Sequence, residues 1–318
     1  MSIKLRLLLW YVHTFKKVDL NTPPAQMRKE NAKSQAFIQK IIDYKAIELT
    51  EIRDEKIPVR DGSKIRARIY RPSDKQDLPL IVFYHGGGFV LRSIESHDLV
   101  CRRISRDNQA VVVSVDYRLA PEHKFPTPHQ DCYDATVWAA KHADQFGANA
   151  DELSVMGDSA GGNLAAVVSI LARDLQGPKI QKQVLVYPTT DARMNHPSID
   201  TYSEGYFLTK PLMQWFVNHY KSTEEDILNP LMSPFLTEDL SNLPPAYVST
   251  AAFDPLKDEG EAFAKRLEDA GNKVFFKEYP HVIHGFFNMP KISKECLASH
   301  QDIKTFLGYG ISKEKSLV

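Results

Sequence analysis

A serine framed by small residues, Gly157-Asp158-Ser159-Ala160-Gly161, joins an apolar strand-like run at residues 152–156 to an alanine-rich helical run at residues 163–173. A chain that turns from strand to helix within two residues has no room for bulky side chains on either side of the corner. The glycine spacing therefore predicts a tight corner with the serine hydroxyl lifted to the helix N-terminus. The spacing alone is weak evidence, and its strand-before, helix-after setting is what makes it a structural signal.

A second glycine cluster, His85-Gly86-Gly87-Gly88-Phe89, follows another apolar strand at residues 80–84. Consecutive glycines after a strand leave backbone N–H groups uncovered. Acyl transfer needs such groups, because fixed amides stabilise the oxyanion of a tetrahedral intermediate without reorganising. Gly87 and Gly88 are the expected donors, with the N–H of Ala160 as a third.

A serine hydroxyl is a poor nucleophile near neutral pH, so this chemistry also requires a histidine base and a carboxylate to orient it. The chain has eleven histidines. Residues 245–253 read as a strand ended by Asp254-Pro255, and residues 273–279 as the next, with His281 and His284 just beyond. When a serine is followed by its acid and then its base on loops after later strands, Asp254 and His284 are the positional candidates. Two alternatives stay open: Asp254 as the N-cap of a helix starting near Leu256, and His281 as the base.

Five stretches, His85-Gly86-Gly87-Gly88, residues 116–122 (DYRLAPE), residues 157–162 (GDSAGG), Asp254-Pro255-Leu256 and His284-Gly285-Phe286, resemble the hormone-sensitive-lipase-like bacterial esterase/lipase family of the α/β-hydrolases. The likeness runs in order from about residue 58 to about residue 289. It implies Ser159 as nucleophile, His284 as base, Asp254 as its orienting acid, and Gly87, Gly88 and Ala160 as oxyanion donors. This chain departs from many members in placing His281 where they have glycine, three residues before His284.

The rest of the chain fits one such domain over residues 1–318. Two strands near residues 47–57 and 64–70 flank a polar turn and read as an antiparallel start. Strands and helices then alternate, which predicts a mostly parallel, eight-stranded α/β sheet with helices on both faces. Residues 1–44 and about 189–243 do not follow the alternation and are expected to form a helical cap. Within the second, Phe207 and Leu208 are candidate substrate contacts. Residues 116–122 are expected to buttress the oxyanion loop, and Asp158 to point away from the serine.

Forty basic residues balance forty acidic ones, which removes any general attraction to nucleic acid or anionic membranes and favours small neutral substrates. Cys101, Cys132 and Cys296 lack metal-ligand spacing and cannot pair fully, so they predict no zinc site, a reducing environment and a cytoplasmic location. No stretch approaches the roughly twenty apolar residues of a membrane span. A short amphipathic N-terminal helix, with Trp10, Tyr11 and Phe15 beside Lys16 and Lys17, is expected either to pack over the site or to touch a membrane surface. The resemblance implies a cofactor-free, metal-free serine carboxylesterase for short to medium acyl esters. Amide or lactone hydrolysis is the alternative, and a non-catalytic small-molecule receptor a more distant one.

Overall fold

The computed structural model describes residues 1–15 and 18–309, so Lys16 and Lys17 lie outside the described residues. Two helices, α1 (Ile3–Phe15) and α2 (Pro24–Ile42), precede a hairpin of β1 (Glu51–Pro58) and β2 (Lys64–Arg71). The strands pair antiparallel, Glu51 opposite Arg71 and Pro58 opposite Lys64. In β2 the residues Ile65, Ala67 and Ile69 are buried, the period-two pattern of a strand covered on one face.

Strand and helix then alternate: β3 (Leu78–Tyr84), α3 (Ile94–Asn108), β4 (Val111–Asp116), α4 (Thr127–Lys141), β5 (Ala148–Asp158), α5 (Ala160–Asp174) and β6 (Lys182–Val186). Two helices, α6 (Pro197–Thr201) and α7 (Lys210–Tyr220), interrupt the alternation, with no strand between residues 189 and 243. It resumes with β7 (Ala246–Phe253), α8 (Lys257–Asp269), β8 (Val274–Ile283) and α9 (Lys294–Leu307). The sheet order is β1-β2-β4-β3-β5-β6-β7-β8, antiparallel from β1 to β4 and parallel from β4 to β8. Residues 80–84 of β3 are completely buried, as a parallel strand covered on both faces requires.

The position of β3 between β4 and β5 locates the site. After β3 the chain crosses to β4 on one side, then returns to β5 on the other. Beyond the strand ends at such a reversal the following connections diverge and leave a crevice. The glycine-rich loop after β3 and the serine after β5 both face it.

Two buried side chains tie stability to pH in opposite senses. His129 sits between the Asn163 Oδ1, 2.9 Å away, and the Tyr220 hydroxyl, 2.7 Å away, and burial pushes it down to about 4. It stays neutral in the fold while the unfolded chain takes up a proton below about 6.5, so its contribution is full above that pH and lost in acid. Glu259 accepts N–H groups of Thr190 at 2.6 Å and Asp191 at 3.3 Å. Burial, with the Asp191 charge, raises it to about 8. Its contribution is therefore full below about 4.5 and fades as pH rises towards 8. Urea titrations at about pH 7 and about pH 5 should show His129→Gln losing roughly 2 kcal/mol less than the wild type on acidification, and Glu259→Gln gaining roughly 2 kcal/mol less. Curves parallel to the wild type would refute these assignments.

Candidate active site

The serine corner is held by its glycines. Ser159 has φ 58° and ψ −119°, a conformation costly for a residue with a side chain. A Cβ on Gly161 would lie 1.9 Å from the Tyr84 carbonyl oxygen, and one on Gly157 would lie 2.2 Å from the Gly161 carbonyl oxygen. The corner is thus clamped against the end of β3, and any larger residue at either glycine would force it open. The Ser159 N–H donates to the Val186 carbonyl at 2.9 Å, fixing it against β6 as well.

The half-buried Ser159 Oγ lies 2.9 Å from His284 Nε2, and His284 Nδ1 lies 2.7 Å from Asp254 Oδ2. Asp254 is fully buried at the end of β7. Its other oxygen accepts the Leu256 N–H at 2.9 Å. The helix that follows, α8, is capped at Leu256 without a side-chain bond, so Asp254 is not its N-cap: one oxygen holds the turn leading into the helix and the other holds His284. The Tyr187 ring lies 4.6 Å from the His284 ring and helps enclose it.

His281 is placed differently from the expectation that it follows the last strand. β8 extends to Ile283, so His281 lies within it, exposed, with a left-handed φ of 66°. Glycine would adopt that backbone without strain, which explains physically why the position suits it. Among the described residues the Ser159 hydroxyl meets His284 alone, and His281 makes no side-chain hydrogen bond.

Gly87 and Gly88, at φ 129° and 62°, turn the chain after β3. Among the described residues the N–H groups of Gly87, Gly88 and Ala160 have no protein acceptor. Ala160 opens α5, where the first N–H groups have no intrahelical partner. The loop is braced from below: the Tyr117 hydroxyl donates to the His85 carbonyl at 2.7 Å, and the Ala120 N–H donates to the Phe89 carbonyl at 2.9 Å. Residues 116–122 thus support the loop.

Asp158, next to Ser159 in the chain, joins this loop to the serine corner. It accepts the Gly86 N–H at 2.9 Å and the Tyr187 hydroxyl at 3.2 Å, and lies 3.1 Å from His97 Nε2. Burial alone would raise its carboxyl, but His97 and the Gly86 N–H outweigh that and hold it at about 2. Burial and the neighbouring His97 push His85 down to about 4, leaving it neutral beneath the glycines.

These groups open into a cavity of about 1040 Å³ that includes Ser159, His284, Gly87 and Gly88. Both Phe207 and Leu208 line it, and so do Phe37 and Ile38 of α2. Phe216 of α7 is a wall residue that sequence reasoning missed: a Cβ on Gly88 would lie 2.3 Å from its ring. Its aromatic neighbour Trp215 is buried instead, donating Nε1–H to the Leu20 carbonyl at 2.9 Å.

A strand-to-helix serine corner facing a glycine loop across a mostly parallel sheet defines the α/β-hydrolase class, and the family model for the α/β-hydrolase fold matches residues 81–288. The chain belongs to this family, in its hormone-sensitive-lipase-like branch, and is a carboxylic ester hydrolase. It is 43% identical over 269 residues to the carboxylic ester hydrolase LipN of Mycobacterium tuberculosis, covering 83% of this chain and 71% of that protein. It is 39% identical over 264 residues to an ethyl acetate hydrolase of Pseudomonas putida, covering 80% and 82%. A hyperthermophilic esterase structure from Pyrobaculum calidifontis superposes with a TM-score of 0.91 at 43% identity, covering 96% of this chain and 97% of that one. No helix among the described residues is long and apolar enough to cross a membrane.

Proposed function

We propose that Ser159 is the nucleophile, His284 the general base and acid, Asp254 its orienting carboxylate, and the N–H groups of Gly87, Gly88 and Ala160 the oxyanion donors. The observation that carries this is the continuous hydrogen-bond chain from Ser159 through His284 to Asp254, together with three nearby N–H groups that have no acceptor among the described residues. Ser159 Oγ attacks the acyl carbonyl as His284 takes its proton, and the three amides stabilise the oxyanion. His284 returns the proton to the departing alcohol. Water repeats the sequence on the acyl-enzyme to release the acid.

The substrates are small esters with short to medium, neutral, apolar acyl chains, bound under a cap formed by residues 1–44 and about 189–243. The relative named for ethyl acetate hydrolysis and the mostly apolar cavity support this. Nucleic acid and stable membrane insertion have no part in it, and three buried free cysteines suit a cytoplasmic location. Each buried acyl CH₂ is worth about 0.8 kcal/mol, so kcat/KM should climb roughly fourfold per carbon while the pocket lasts. A p-nitrophenyl ester series from acetate to palmitate tests both points: the rate should rise, then fall by about eight to ten carbons. Absence of turnover on every chain length would reject the hydrolytic roles, and a rate still rising at palmitate would reject the closed acyl pocket.

A further inference from the structure

The charged side chains on the wall of the active-site cavity are almost all engaged. Asp43 pairs with Arg103, Asp158 with His97, and Asp191 with Arg193. Lys4 donates to the Lys291 carbonyl, Glu30 accepts from Gln26, and Asp19 accepts from Asn21. Arg92 lines the same cavity and, among the described residues, makes no hydrogen bond or ion pair. Arg28 and Arg118, which line a neighbouring depression together with it, are each paired with carboxylates.

The location of Arg92 is specific. Val90 and Leu91 N–H groups donate to the Gly87 carbonyl, and this turn delivers the chain to Arg92 immediately after the oxyanion loop. Its Cγ would lie 2.8 Å from a Cβ on Gly87, so the side chain stands against one of the proposed donors. Its backbone has φ 75°, a region that glycine occupies freely and arginine does not. Such strain is retained where the surrounding structure holds it, and it concentrates at functional sites. Arg92 also lines a second depression of about 600 Å³ with Arg28, Lys29 and Glu122, so it stands in the partition between that groove and the active site.

Its side chain is exposed where it borders the cavity, so a ligand held there can reach the guanidinium. An arginine guanidinium keeps its proton at neutral pH. A carboxylate in its planar fork is the best match for a guanidinium that no protein carboxylate engages.

We propose that Arg92 forms a subsite for a carboxylate carried by the ester, giving this hydrolase a preference for substrates with one free acid group. The subsite rests on the ester-hydrolysis reading of Ser159. It refines the preference for neutral substrates drawn from overall charge, because a balanced total governs long-range attraction and says nothing about one side chain inside a cavity. Carboxylate on the acyl part and carboxylate on the alcohol part share this chemistry.

Two substrate pairs separate those cases. One compares the mono-p-nitrophenyl ester of glutaric acid with p-nitrophenyl pentanoate, and the other compares butyryl esters of hydroxybenzoate and of its methyl ester. In at least one pair the anionic-to-neutral ratio of kcat/KM should fall about tenfold or more in Arg92→Met, recover partly in Arg92→Lys, and fall with added salt in the wild type. Arg92→Gly, which relieves the backbone strain, should lose the same ratio. A ratio unmoved in both pairs, or anionic and neutral esters losing rate equally, would overturn the subsite. Calorimetric binding of the intact esters to Ser159→Ala, with and without Arg92→Met, reads the subsite without turnover. If the wild type cleaves none of the esters, the Ser159 reading fails, while weaker anion binding in the double variant still supports Arg92 and unchanged binding still rejects it.

Discussion

Ser159→Ala is expected to lose about a millionfold in ester turnover, the usual cost of removing the nucleophile from a serine-histidine-carboxylate unit. The change is small in every other respect. Alanine keeps the Cβ that the corner already accommodates, the Val186 hydrogen bond uses only the backbone, and Gly157 and Gly161 still fit against β3. Circular dichroism and the thermal midpoint should therefore stay near wild type. A p-nitrophenyl alkylphosphonate should label the wild type at one residue and leave the variant unlabelled, since the phosphorus bonds to Oγ. Mass spectrometry locating the adduct elsewhere, or equal labelling of both proteins, would show that the reactive group is not Ser159.

The second large effect separates two histidines three residues apart. His284→Ala should lose several orders of magnitude in kcat, because no other imidazole reaches Ser159 Oγ among the described residues and Asp254 is left buried without its partner. His281→Ala should stay within about threefold, as expected for an exposed substitution away from packed contacts. Steady-state kinetics on one short ester read both. Comparable losses, or a larger loss at His281, would move the base to His281.

Residues whose identity is dictated by sterics were the easiest to read. Glycine at 157 and 161 has no substitute where a Cβ would strike a carbonyl, so strand, corner and helix followed from the spacing, and the alternation after β2 carried the layered sheet. The place of β3 between β4 and β5 was not legible, because strand order depends on pairing between distant segments. The end of β8 was set too early: Phe275 and Phe276 are partly exposed on an edge strand, and the following polar residues resemble a loop in sequence. The cavity wall was least legible. Trp215 and Phe216 are adjacent aromatics on one helix, and only the rotation of α7 sends one to the core and the other to Gly88. Arg92 reads as any surface arginine, since neither its φ nor its lack of a partner among the described residues is written in residue type.

Asp158 has a consequence for precision. The proposed nucleophile is carried by the residue that follows it, and the loop of the proposed oxyanion donors is gripped through the Gly86 N–H by its own carboxylate. Two parts of the site that come from different strands thus share a single anchor point. When thermal motion displaces β5 relative to β3, the serine and the glycine amides shift together, and the error that matters, their separation from each other, is largely cancelled. Attack geometry can then tolerate a sheet that breathes, because alignment is referenced locally to one carboxylate rather than to the whole scaffold.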